Sequence, residues 1–191
     1  MDQKRVLIVS LVLLVFTTAS YAGRMTYKEI LQKGVKPAIA PAFDFPLSKQ
    51  HENGCFGFAV KNMADYKYQI KIDVADAEKK IGKPRESLWK SENIMDFLAL
   101  YDLQLAWQYD ALSFFELLTQ GEPVLIQYRW WYNNHSTWVG HFVAVYSFDD
   151  KGVWVSESAS NKHVHVPYSD LFDESGVYTL FAFASLKRTG E

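Results

Sequence analysis

The chain holds one cysteine, Cys55, and five histidines, at positions 51, 135, 141, 163 and 165. Cysteine attacks a carbonyl carbon as the thiolate, and an ordinary thiol with a pKa of about 8.5 supplies little of it at neutral pH. Two devices favour the charged form: a helix N-terminus and a neighbouring imidazole. Cys55 follows Asn53-Gly54 and opens a run with Phe58, Ala59, Asn62, Met63 and Tyr66 at helical spacing. That spacing predicts a helix from about Cys55 to Tyr66 with the thiol at its mouth, entered by a sharp turn at Gly54. A single cysteine can form no internal disulfide, so the competing reading is a small buried apolar residue.

The histidines differ in their surroundings. His51 shares the polar loop before Cys55 and has no evident residue to orient it. His135 sits among Asn133, Asn134 and Ser136 and reads as solvent-exposed. His163 and His165 alternate on a short strand, but a metal pair there would want acidic or thiol ligands that the neighbourhood lacks, so no metal site is expected. His141 follows Gly140 and opens a strongly apolar strand, where Val or Ile would be usual, and it is the expected base.

A base histidine needs an acceptor on its second nitrogen. Glu157 lies sixteen residues after His141, and a turn at Asp150-Lys151-Gly152 should return it beside the start of the His141 strand. Gln50 precedes Cys55 by five residues. Its amide, with the Cys55 backbone N–H, could donate to the oxyanion of a tetrahedral intermediate; one such donor is typically worth about 2.7–4 kcal/mol of transition-state stabilisation. The blander readings are an ordinary strand-end carboxylate for Glu157 and a solvated loop amide for Gln50.

The elements that must position these groups follow from periodicity. A short helix is expected over Thr26 to Lys33, with Gly34 as its stop, and another over residues 73 to 81. Ser91 should cap a helix running Asn93 to Tyr101, and Leu112 to Thr119 should form one closed by Gly121. Strands are expected at Leu103 to Tyr109, Pro123 to Trp130, His141 to Phe148, Val153 to Glu157, Lys162 to Val166 and Val177 to Phe183, with a short helix at Tyr168 to Phe172. Helices crowd the first half and an antiparallel sheet the second, which argues for an α+β domain. The loop from Trp130 to Trp138 precedes His141, and Trp131 and Trp138 on it could grip an extended substrate, or pack on the sheet edge.

The first residues read as a secretory signal. Lys4 and Arg5 precede the apolar run Val6 to Phe16, and Ser20-Tyr21-Ala22 forms a small-x-small cleavage site. Cleavage after Ala22 would place the protein in the periplasm or outside the cell. The run is shorter than the roughly 20 residues that span a bilayer, so no stable membrane insertion is expected after cleavage. A formal net charge of −2 offers no basic footprint for nucleic acid, and 16% aromatic residues argue against a disordered chain. The expected organisation is a signal at 1–22, an extension at 23–39, a catalytic domain at 40–185 and a tail at 186–191.

Taken in order, these stretches resemble the papain-like cysteine peptidases, in particular the double-glycine leader (bacteriocin-processing) peptidases and their stand-alone secreted relatives. The resemblance rests on Gln50 to Cys55, Leu117 to Val124, Gly140 to Val145, Val153 to Ser158 and the closing element Tyr168 to Phe172. It implies a papain-like fold, with the Cys55 helix packed on a C-terminal antiparallel sheet. It also implies amide hydrolysis through a thioester with Cys55, His141, Glu157 and Gln50, no cofactor, and a monomer acting on a peptide or protein. The family acid is usually Asp followed by Pro, whereas here Glu157 is followed by Ser158. The glutamine precedes the cysteine by five positions where six is commoner, and Phe56-Gly57 stands in place of Gly-Pro. Two other readings remain: a papain-like domain that binds a partner without catalysis, and a Cys-dependent acyltransferase or amidase.

Overall fold

The structure, a computed structural model, describes residues 26–33, 44–51, 54–81, 91–108, 110–131, 138–172 and 183–191. The expected signal segment, most of the expected extension, and the expected strand before Phe183 lie outside the described residues.

Among the described residues, four helices precede the first strand: α1 (Tyr27–Gln32), α2 (Cys55–Tyr68), α3 (Val74–Ile81) and α4 (Ser91–Ala99). Then come β1 (Leu103–Gln108), α5 (Ala111–Thr119), β2 (Val124–Trp131), β3 (Trp138–Phe148), β4 (Gly152–Glu157), β5 (Lys162–Pro167), α6 (Tyr168–Leu171) and β6 (Phe183–Arg188). The six strands form one antiparallel sheet in the order β1-β6-β2-β3-β4-β5. This is an α+β fold.

Local chemistry accounts for the helix ends. Thr26 and Glu29 form a reciprocal capping box at the start of α1. The Asp110 side chain accepts from the Ser113 N–H at 2.8 Å and starts α5. Helix α2 closes on Gln69, whose φ of 56° lies in the left-handed region common at helix ends.

The sheet is covered on both faces. On one, Val143, Val145, Val153 and Val155 pack with Ile30 of α1, Phe114 and Phe115 of α5, and Leu171 of α6. On the other, Phe142, Ala144, Tyr146 and Leu186 pack with Phe56, Val60 and Met63 of α2 and Phe97 of α4. Burial on two sides explains why Val124 to Ile126 and Phe142 to Val145 read as continuous apolar runs. Each buried Val, Leu or Phe side chain contributes roughly 1.5–3 kcal/mol relative to exposure. The position of α2 is therefore set by a full apolar stripe, and the thiol at its first residue is held as firmly as the core.

Three expectations change. β6 runs from Phe183 to Arg188; residues 183–185 pair with both β1 and β2, and residues 186–188 continue the strand along β1 rather than forming a separate tail. Leu186 is buried there, and its apolar side chain is the physical reason for the extension. β3 begins at Trp138, three residues before His141, and Trp131 pairs with Trp138. These two tryptophans thus sit on paired strands rather than in a loop, as suits aromatic residues with high strand propensity. Ser91 is the first residue of α4 and not a cap outside it.

Candidate active site

Cys55 is the first residue of α2, with Gly54 at the cap position. No side chain caps this end, and its first turn carries no acidic residue. The amide donors that every helix start leaves without intrahelical partners therefore face the Cys55 end un-neutralised. Gly54 has φ −89° and ψ 4°, a conformation open to any residue, so the turn into the helix, where its N–H donates to the His51 carbonyl at 3.1 Å, does not require glycine's backbone freedom. The glycine serves another need: a Cβ would stand 2.8 Å from the His51 ring and 3.1 Å from Phe58.

His141 lies inside β3, opposite Tyr128 of β2. Its Nε2 sits 2.9 Å from both Oε1 and Oε2 of Glu157. Cys55, His141 and Glu157 are all buried, at 5%, 5% and 4% exposure. Burial alone would depress the His141 pKa, but hydrogen bonds to Cys55 and Glu157 outweigh it and push the value up to about 9. Nε2 is committed to the carboxylate, so Nδ1 is the nitrogen left for the thiol. The Ala159 N–H donates to Glu157 Oε1 at 2.7 Å and fixes the carboxylate in turn.

A bulge makes this meeting possible. The β3–β4 register shifts between Val145 and Ser147, leaving Tyr146 as the extra residue. In the Ser147–Trp154 register, Glu157 would fall opposite Ala144, on the face away from His141. After the bulge Ala144 faces Ser156, and one step further Glu157 falls opposite Val143, on the same side as His141. One inserted residue moves Glu157 to the face of His141.

Gln50 is tied to the end of β4. Its N–H donates to the Ser158 carbonyl at 3.0 Å, and the Ser158 hydroxyl donates to Gln50 Oε1 at 2.6 Å. Nearby, Ser156 Oγ donates to the Pro46 carbonyl at 3.0 Å and accepts from Asn62 Nδ2 of α2 at 2.9 Å. Lys49 Nζ donates to the Ala159 carbonyl. The strand that carries Glu157 thereby holds both the Gln50 loop and the Cys55 helix. Sequence reasoning missed Ser156, Asn62 and Ala159; the only available signal was the pair of hydroxyls flanking an acid in Ser156-Glu157-Ser158.

The other described histidines have partners of their own. His51 pairs with Glu78 of α3 at 3.2 Å and packs edge-on against Phe58. His163 Nδ1 lies 3.0 Å from the Tyr146 hydroxyl, and His165 Nε2 lies 3.1 Å from Asp149. Among the described residues no group of three or more His, Cys, Asp or Glu could hold a metal ion. His135 lies outside the described residues.

A model of the Peptidase_C39 like family matches residues 42–185, most of the chain. The chain belongs to that family. Solved structures agree in fold: a C39-like peptidase from Bacillus anthracis has a TM-score of 0.55 at 15% identity, covering 80% of this chain and 98% of its own. The peptidase domain of Streptococcus ComA, a bifunctional ABC transporter of a quorum-sensing pathway, also scores 0.55, at 11% identity over 73% of this chain and 96% of its own. A double-glycine-motif protease from an AMS/PCAT transporter, solved with its leader peptide, scores 0.54 at 15% identity over 80% and 99%. No curated protein sequence matches the chain. Family and fold together support a cysteine peptidase function for this C39-like chain.

Proposed function

We propose that the chain is an exported cysteine peptidase that cleaves an amide bond through a Cys55 thioester. The observation that carries this reading is the buried relay in which His141 bonds Cys55 and, through Nε2, both oxygens of Glu157. His141 takes the thiol proton, and the sulfur adds to the scissile carbonyl carbon. The carbonyl π pair moves to oxygen, where the Cys55 N–H and the Gln50 amide are the donors proposed to receive it. As the tetrahedral intermediate collapses, the C–N bond breaks and the imidazolium gives its proton to the departing amine. Water, deprotonated by His141, then adds to the thioester, and the C–S bond breaks to return the thiol.

Export rests on the charged start, apolar run and Ser20-Tyr21-Ala22 site at the N-terminus. No helix among the described residues is long and apolar enough to cross a membrane. The solved neighbour with a bound leader peptide favours a peptide as substrate, and Trp131 and Trp138, paired on the hairpin that leads into His141, are the residues proposed to contact it. Cys55→Ala tests the reading. The variant should retain its circular dichroism spectrum and lose turnover of peptide substrates entirely; measurable turnover by it would refute the mechanism.

A further inference from the structure

We propose that Ser158 is a positioning residue that aims the Gln50 amide at the oxyanion. This rests on the peptidase reading above. Ser158 is 1% exposed; its hydroxyl donates to Gln50 Oε1 at 2.6 Å, while its carbonyl accepts the Gln50 N–H at 3.0 Å. Side chain and backbone of one residue thus hold both the loop and the amide. With the carbonyl end of the amide taken by Ser158, the NH₂ end is the one left to donate to the oxyanion. A flipped amide would place its NH₂ against the serine, whose own O–H would then lose the acceptor it uses here, at the cost of an unsatisfied buried donor. The dipeptide Glu157-Ser158 therefore serves both halves of the machinery, its first residue orienting the base and its second the oxyanion donor. The proline that commonly follows the acid in related peptidases has no hydroxyl, so this device belongs to the chain's own Ser158.

The test separates oxyanion stabilisation from thiol activation, using N-acetyl-glycyl-glycinal and iodoacetamide on the full folded chain. The aldehyde takes a C–S bond from Cys55, and its π pair becomes an alkoxide that accepts a proton from the His141 imidazolium. Iodoacetamide also forms a C–S bond, but the leaving iodide takes the electron pair and no oxyanion develops. Ser158→Ala should weaken aldehyde binding about tenfold, less than the roughly hundredfold that outright misplacement can cost. Its iodoacetamide rate should stay within about twofold of the parent, and Ser158→Thr should recover most of the affinity. Gln50→Ala with Ser158→Ala should bind the aldehyde no more weakly than Gln50→Ala alone, because the serine acts through the amide. Unchanged aldehyde affinity in Ser158→Ala would overturn the proposal. So would an additive double variant, or alkylation slowed as much as aldehyde binding. Ser158→Gly repeats the measurement should the alanine methyl disturb the turn. Failure of the peptidase reading looks different: the parent chain itself would then alkylate like a simple thiol and form no aldehyde adduct.

Discussion

Two imidazole–carboxylate pairs sit on the same sheet, and each joins residues sixteen positions apart: His141 with Glu157, and His165 with Asp149. Their pairing distances are close, 2.9 Å and 3.1 Å. Their surroundings are not. The side chains of the first pair are 7% and 5% exposed, at the mouth of α2; those of the second are 28% and 37% exposed, beside the β3–β4 turn. Asp149 is divided among several partners: burial raises its pKa, but the Lys151 and Gly152 N–H groups and His165 together bring it below the usual carboxylate range. Glu157 turns both oxygens to His141 and accepts the Ala159 N–H. A carboxylate next to a histidine is thus common geometry; exclusion of water and a thiol on the other ring nitrogen are what could turn one into a catalytic base.

Removing each imidazole exposes that difference most strongly. His141→Ala should lower kcat/KM by about 10⁴-fold or more, since base, nucleophile activation and proton return are lost together. His165→Ala should change kcat/KM by no more than about twofold, because its partner is a turn carboxylate far along the sheet from Cys55. Steady-state hydrolysis of one peptide substrate by both variants reads the contrast, and equal losses would break it.

The next effect falls on the acids. Glu157→Gln removes the charge that helps raise His141 to about 9, while burial continues to depress it. The imidazolium should then be lost at lower pH. In the parent chain activity should fall as pH rises through about 9; in Glu157→Gln that alkaline limb should shift downward, with kcat reduced on the order of 100-fold. A pH profile of kcat/KM shows both. A limb that stays near pH 9 would mean that Glu157 does not govern the base.

How far this contrast was legible in the sequence depends on which residue is asked. His141 stood out because an imidazole interrupts an apolar strand, and Glu157 because a hairpin returns it. The described helices and β1 to β5 were legible within a few residues because both periods are strong. The bulge at Tyr146 was not, since Val145, Tyr146 and Ser147 continue the strand pattern and nothing local marks an unpaired residue. Without it, simple hairpin counting puts Glu157 on the wrong face. β6 was obscured for a different reason: its value comes from pairing with β1, some eighty residues away, and distant pairing leaves no local signature. Ser158 carries no sign of its tie to Gln50, because a serine after an acid is ordinary until the loop from Pro46 to Gln50 lies across it.

The smallest effect sharpens the comparison from the structural side. Asp149 accepts the Lys151 N–H at 2.8 Å and the Gly152 N–H at 3.0 Å, closing the turn between β3 and β4. Asp149→Ala should therefore cost about 1 kcal/mol of stability, the usual net worth of such bonds near water, seen as a lower midpoint in urea unfolding. The turn feeds β4, which carries Glu157 at its far end, so a slack turn could in principle disturb the base. The register between them is held independently by Val153 and Val155 in the core and by pairing with β5 on the other side. Activity at temperatures well below unfolding should accordingly stay within about twofold of the parent. If kcat instead fell tenfold while stability dropped only slightly, the two pairs would be coupled through the hairpin, and Asp149 would have to be counted among the residues that position Glu157.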